Sequence, residues 1–576
     1  MSHRMFAFSL SALACLALAP FARAQSWRTE KVPDAGIQFD APDRLERLPM
    51  QLGESALYER AKLRPKDNQD FVRAQYYWYC DVYSFAKKEL SGDDLGLPAD
   101  APEEVKQAVR EMMLRGGFKR HKSFEAWLGD EKKVEIVTKG KLEKGKGGKL
   151  DYAHWEYVLD NNFGPVGLTY CEAAVYDLGD REVALVIEMP LETKKPAKPK
   201  SKWANIIKRM IGSGETCEAA AGDDDVDKKR DKYADTPEKQ AALTAAKANI
   251  AGLKGWDYFT QPNYIVIYSW DFEKPDERVK AKKDAEYYSS RLEKMRQLYI
   301  EYYPLDPTGT KAIMPDPKSI PSLTGPVTGV ATEPAKPDAK PGDDEGEPAG
   351  EKLGTQPYSV FRLCAAYDQF QKYGQSPPGV VGWFSPASKE LVVFLGGDKM
   401  MGAGATEAVT YHEGWHQYAD FYFHHPETPK HASLHRWFDE GHGDFFGSFR
   451  YGTGGWKYLG SAMRYQDCKG MVRSGDYVPF KEIVYWSRQR FYSDKATDYY
   501  AQAFSMIDFL RRGQKSKGYQ ERWGDILDMY RKVMLVKGEP KLAVDTAFRG
   551  FTDDDWKALE EAWKAWVDGG QFLNGK

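Results

Sequence analysis

The sequence predicts an α+β protein: a mixed α/β domain at the N-terminal end, then a small edge-strand sheet followed by a helical subdomain. Three observations carry this. Strand-like alternation runs through most of the first 210 residues, two low-complexity stretches break the chain, and apolar residues recur at helical spacing from Ala405 onward. At 576 residues the chain is too long for one core, and length alone implies roughly two to four domains.

Residues 1–24 read as a signal peptide. His3 and Arg4 precede the apolar run "MFAFSLSALACLALAPF", and "ARA" before Gln25 supplies small residues for cleavage near Ala24. Cys15 lies inside the run without a leucine three residues earlier, so no lipoprotein anchor is read. No other stretch approaches the roughly 18 apolar residues a membrane helix needs. An exported protein, periplasmic or extracellular and without membrane insertion, is expected.

From 25 to 212, "GIQFDAP", "ALYERAKL", "QYYWYCDVYSF", "AHWEYVL" and "REVALVIEMP" read as strands, and "APEEVKQAVREMMLRGG" as a helix with acids in its first turn and glycine past its end. Residues 213–254 read as a charged linker, because "AAAGDDDVDKKRDKYAD" holds opposite charges with little apolar content. The remainder, 255–576, forms the second domain. "NYIVIYSWD" is its first strand, "KDAEYYSSRLEKMRQLYIEYYP" a long amphipathic helix, and residues 325–355 a low-complexity insertion rich in Pro, Gly and acids. "YSVFRLCAAY" and "KELVVFLGG" follow as strands. In the last helix Thr552 and Asp555 make a capping box, and Trp556, Leu559, Trp563 and Trp566 form a stripe that belongs to a core.

Composition narrows function. The net charge of −3 gives no electrostatic reason to bind nucleic acid or an anionic membrane. Cys80, Cys171, Cys217, Cys364 and Cys468 remain after cleavage, too few and too widely spaced for a disulfide framework, zinc knuckle or redox pair. They read as structural.

The chemistry concentrates in "TYHEGWHQYADF", residues 410–421. His412, Glu413 and His416 form H-E-x-x-H. Four residues apart on a helix, both imidazoles reach one metal ion from one face, and the glutamate sits where it can take a proton from water. Gly414 weakens this helix by about 1 kcal/mol relative to Ala, which calls for close approach by substrate or a neighbouring element. A third ligand is needed. Glu440, in "HRWFDEGHGDFFGSF", stands on the next helical run, and Asp444 one turn later is placed to accept a ligand histidine's free ring N–H. Seven of the ten histidines fall between 412 and 442. His431 and His435 are also four apart, but no glutamate flanks them as a base; these two, with His424 and His425, read as surface or capping residues.

H-E-x-x-H on one helix and "WFDEGHGDFF" on the next resemble the gluzincin metallopeptidases, whose second motif is W-x-x-E-G-x-x-[ED]. "NYIVIYSWD", "ELVVFLGG" and "YYAQAFSMIDFL" extend the resemblance to the peptidase-MA-like bacterial domains of unknown function, over about Gly255 to Val567 and not the N-terminal domain. The resemblance implies a thermolysin-like domain binding one Zn2+ through His412, His416 and Glu440, with Glu413 as base and Tyr500 as oxyanion partner. It implies hydrolysis of a peptide or protein substrate, paired along "KELVVFLGG" as edge strand. His442 departs from the family, where an apolar residue is usual, and leaves room for a polar contact near the metal. Two other readings stay open: an inactive zinc-binding scaffold whose N-terminal domain binds the cell envelope, and a structural helical domain with a chance motif. Cleavage specificity and oligomeric state are not encoded legibly.

Overall fold

The structure is a computed structural model. It describes residues 26–50, 58–66, 79–87, 121–130, 134–160, 166–191, 201–218, 230–320 (except 252, 275, 308 and 310), 358–374, 379–424 (except 387) and 433–570 (except 494). The signal segment, the 101–117 helix and the 325–355 insertion lie outside the described residues. So do His425 and His431.

The protein is α+β. Two compact units divide it: Met1–Arg47, Leu63–Ser84 and Phe124–Ala220 form one, and Leu48–Lys62, Phe85–Ser123 and Ala221–Lys576 the other.

In the first unit, β1 (Trp27–Val32) and β2 (Ile37–Pro42) form a hairpin. A seven-stranded sheet, most of whose residues belong to this unit, contains β3 (Leu45–Leu48), β4 (Glu59–Pro65), β5 (Tyr79–Ala86), β6 (Val134–Glu143), β7 (Tyr152–Asp160), β8 (Leu168–Asp177) and β9 (Arg181–Pro190), in the order β3-β4-β5-β9-β8-β7-β6. The β7, β8 and β9 ladder is antiparallel. Successive side chains alternate between faces, and each face is covered by a helix. Helix α1 (Phe124–Asp130) packs Phe124 on Trp155 and Tyr157. On the other face the Tyr176 hydroxyl donates to the Ile211 carbonyl ending α2 (Ser201–Ile211).

Of the stretch read as linker, Glu215–Thr216 form β10 against β2, and Pro237–Ile250 form helix α3; 219–229 lie outside the described residues. The alanine-rich run "AALTAAKANI" has the helix propensity that its charged flanks obscure.

The second unit is built on a five-stranded sheet of order β11-β12-β13-β15-β14. Its strands are β11 (Trp256–Thr260), β12 (Tyr264–Ser269), β13 (Ser359–Cys364), β14 (Gly382–Ser385) and β15 (Glu390–Phe394). The three middle strands are parallel, and β11 and β14 run antiparallel at the edges. The middle strands are largely apolar because both faces are covered, and the charged exceptions, Arg362 of β13 and Glu390 of β15, are fully buried and paired with each other. Leu243, Ala246 and Ile250 of α3 cover Ile265, Ile267 and Val360. Ala281, Ala285 and Leu292 of α4 (Glu277–Tyr302) cover Val266, Phe361 and Leu391 on the other face.

After α5 (Tyr367–Gly374) and the sheet, the chain is largely helical: α6 (Ala405–Tyr422), α7 (Arg436–Gly447), α8 (Ala462–Ser474), α9 (Ala496–Arg512), α10 (Ile526–Lys537), α11 (Pro540–Ala547) and α12 (Asp553–Asp568). Trp415, Trp437, Trp523 and Trp563 lie fully buried in one aromatic core among them. The Thr552–Asp555 capping box is formed, and Leu559, Trp563 and Trp566 are buried.

"KELVVFLGG" is not the edge strand. Its ordered part, β15, lies between β13 and β14 with every residue buried, whereas the half-buried "GWFS" of β14 forms the edge.

Candidate metal centre

Helix α6 begins after Gly404, whose φ of +80° gives a left-handed entry that only glycine adopts freely. His412 and His416 then project one turn apart, their rings 4.8 Å apart. Helix α7 packs across α6 and brings Glu440, Asp439 and Asp444 to the same pair. The close crossing depends on Gly443: a Cβ there would stand 2.7 Å from the His412 ring. Ligand atoms of His412, His416 and Glu440 all lie within 4.8 Å of one another.

Both imidazoles are gripped from behind in the same way. His412 Nδ1 is 3.1 Å from Asp444 Oδ1, and Asp444 Oδ2 forms an ion pair with Arg464 Nε at 2.7 Å. His416 Nδ1 is 2.8 Å from Asp439 Oδ1, and Asp439 accepts from Arg436 at 2.8 Å. A carboxylate on Nδ1 fixes the tautomer and turns Nε2 forward. The two Nε2 atoms meet at one oxygen, Glu440 Oε2, at 3.1 and 3.3 Å. The other Glu440 oxygen accepts from the Tyr492 hydroxyl.

The electrostatics demand positive charge at that meeting point. Burial opposes protonation of His412, but hydrogen bonds to Asp444 and Glu440 overcome it and push the imidazole up to about 9. His416 also rises, with Asp439 and Glu440 overcoming its burial. Burial raises Glu440, and the two histidines more than reverse this, holding it well below the usual carboxylate range. The donor set therefore fits a divalent cation: two imidazole nitrogens and one carboxylate oxygen converge, and their outer atoms are already engaged.

Glu413 lines the same cleft, and burial raises its carboxyl above the ordinary range while both histidines oppose the rise. Tyr500 also lines it, with its ring 6.3 Å from that of His412 and the Arg464 guanidinium 5.0 Å from its centre. Around these groups the cleft encloses about 390 Å3, walled by Val380, Trp383, Phe384 and Leu434.

The edge strand is fastened beside this cleft. Lys389 is the one non-glycine with positive φ among the described residues, at +53°. Its ammonium meets Asp420 of α6 at 2.7 Å, and its carbonyl accepts from Gln417 at 3.1 Å. The turn between β14 and β15 is thus tied to the helix that carries both histidines.

All six residues singled out in the sequence, His412, Glu413, His416, Glu440, Asp444 and Tyr500, come together here. The sequence reading missed Asp439, Arg436, Arg464 and Tyr492. Asp439 alone had a signal, since a second acid next to Glu440 doubles the carboxylates on one helical turn. His442 makes no contact with the cluster's donors: its Nδ1 faces the Phe438 carbonyl at 2.7 Å, its Nε2 faces the Tyr303 hydroxyl at 2.6 Å, and Trp415 stacks on it. His435 precedes α7 and shares the Tyr530 hydroxyl through its backbone N–H and Nδ1. Gly414 faces away from the cleft, where a Cβ would stand 2.7 Å from Leu292 and 2.9 Å from the Tyr299 hydroxyl. A neighbouring helix, not substrate, takes the space.

The five described cysteines are free thiols, and all but Cys217 are buried. No described helix is long and apolar enough to cross a membrane.

No protein-family model matches the chain, and no curated protein matches it. Solved structures similar to part of it include PsbP (CyanoP) from Synechocystis sp. PCC 6803, at 10% identity and TM-score 0.19 over 35% of this chain and 99% of that one. Another is the Ran-binding protein Mog1p of Saccharomyces cerevisiae, at 13% identity and TM-score 0.19 over 34% and 97%. Similarity at this level carries no argument about fold or function.

Proposed function

We propose that the second unit is a zinc-dependent peptidase of an exported protein. The observation that carries this reading is the convergence of two Asp-held imidazoles on one Glu440 oxygen, with an independent carboxyl, Glu413, in the same cleft. His412, His416 and Glu440 would hold the ion. A zinc ion in such a set supplies an acidified water and polarises the scissile carbonyl.

The protein's own groups do the rest. Glu413 takes the proton of the attacking water and passes it to the leaving amine; burial raises its pKa and so makes it a stronger base than an exposed carboxylate. Tyr500 faces the developing oxyanion as hydrogen-bond donor. An extended peptide pairs with the free edge of β14, and Phe384 on that strand presents an apolar side chain on the face towards α6. The Asp444 and Asp439 pairs keep both imidazoles aimed throughout.

The test combines a broad peptide library with metal analysis. Wild type cleaves with about one zinc at this site; Glu413→Gln keeps the zinc and loses cleavage; Glu440→Ala loses the zinc. Full zinc with no cleavage by wild type would turn the reading towards a binding scaffold, and full zinc in Glu440→Ala would strike that residue from the ligand set.

A further inference from the structure

The first unit carries another converging donor set. Glu156 of β7 and Glu172 of β8 stand directly opposite in the antiparallel ladder, and like charges so placed destabilise a strand pair. Both are only partly exposed. His154, two residues before Glu156, projects from the same face and holds its Nε2 3.0 Å from Glu172 Oε1. The buried Tyr170 hydroxyl lies 3.2 Å from Glu156 and 3.4 Å from Glu172, so its single proton serves two carboxylates. Thr138 donates to the other Glu156 oxygen at 2.8 Å. Donor atoms of His154, Glu156 and Glu172 all lie within 4.8 Å of one another.

We propose that His154, Glu156 and Glu172 form a second divalent-cation site, which takes zinc and ties β7 to β8. A sequence that places two acids opposite each other on a half-covered sheet face breaks a local rule, and such breaches mark functional positions. One imidazole and two carboxylates suit zinc, and a doubly charged cation converts the carboxylate repulsion into attraction. Thr138 and Tyr170 then orient the carboxylates from outside, as partners of metal ligands do. The role is structural: the donors come from two neighbouring strands of one antiparallel ladder.

Zinc alone, titrated into the full chain by equilibrium dialysis, tests the site. The wild type is expected to take up two ions, and His412→Ala/His416→Ala one. His154→Gln/Glu172→Gln, which keeps side-chain volume while removing charge and the imidazole, is expected to take up one, with affinity for the other unchanged. Zinc should raise the melting temperature of the His412→Ala/His416→Ala variant, and this rise should vanish when His154→Gln/Glu172→Gln is added. The proposal is overturned if the His412→Ala/His416→Ala variant binds no zinc, or if His154→Gln/Glu172→Gln leaves uptake unaltered; His154 then serves only as a hydrogen-bond partner to Glu172. Uptake lost with His154→Gln/Glu172→Gln but indifferent to His412 and His416 would uphold this site and defeat the peptidase reading.

Discussion

The two imidazole–carboxylate clusters of this protein are assembled by opposite means. Around His412 the donors come from two crossed helices, and each histidine is backed by an aspartate that is itself held by an arginine. Around His154 they come from adjacent strands, and the hydroxyls of Thr138 and Tyr170 bond to the carboxylates. The helical cluster keeps Nε2 atoms forward and leaves a cleft in front of them; the strand cluster lies on a sheet face crossed by its own hydrogen bonds. On the proposed function, backing of that kind prepares a site for chemistry, whereas donors shared across a ladder would serve to join strands.

Glu413→Gln is the sharpest way to break the contrast. The helical cluster has a further, partly buried carboxyl, Glu413, lining the cleft in front of its donors. Removing that base is expected to lower kcat by about 10²–10⁴-fold with zinc content unchanged, read by peptide hydrolysis and elemental analysis. Loss of zinc in the same variant would make Glu413 a ligand or a folding residue and erase the distinction.

The next effect concerns the two aspartates. Asp439→Asn and Asp444→Asn are each expected to weaken zinc binding by roughly 10–100-fold, the usual consequence of losing a partner behind a ligand histidine. The near-equal geometry, 2.8 and 3.1 Å, predicts similar losses for the two, measured by competition with a chelator. An effect confined to Asp444 would show that the Asp439–Arg436 pair merely braces α7.

How much of this was legible before folding follows from the same contrast. His412, Glu413 and His416 declare themselves because helical spacing alone puts them on one face, and Glu440 and Asp444 follow from the same rule on the next helix. Arg464 and Tyr492 gave no signal, since their positions depend on how helices cross. The strand cluster was illegible for a related reason: Glu156 meets Glu172 only through the register of a hairpin, and a slip of one residue would put them on opposite faces. The edge strand was misassigned by its own hydrophobicity. "LVVF" is apolar because both faces and both edges of the strand are covered, which is the mark of an interior strand, and Glu390 before it is buried against Arg362; the true edge, "GWFS", is short and half-buried. The charge runs that suggested a linker at 213–254 hid a helix whose inner face is Leu243, Ala246 and Ile250.

A smaller effect separates a cleft with an aimed wall from a bare cluster. Lys389→Ala removes the tie to Asp420 and leaves a non-glycine at φ +53°; Lys389→Gly removes the tie but suits the backbone. If β14 guides substrate, both raise KM several-fold with kcat and zinc content little changed, and Lys389→Gly is the more stable of the two. Equal KM in wild type and both variants would mean that peptide does not pair with this strand.

The smallest expected effect tests the scaffold beneath the histidines. Alanine at 414 gains about 1 kcal/mol of helix propensity over glycine, which on its own predicts stabilisation. Against this, its Cβ would press on Leu292 and on the Tyr299 hydroxyl. That hydroxyl donates to the Tyr411 carbonyl at 2.5 Å, one residue before His412. Overpacking of a filled core costs about 1–3 kcal/mol, so Gly414→Ala is expected to lose about 1 kcal/mol in denaturant unfolding. Activity per folded molecule should stay close to wild type, because the pressure falls on the face of α6 turned away from the cleft. A gain in stability would mean that α4 yields at this contact, and that something other than its close approach accounts for the glycine.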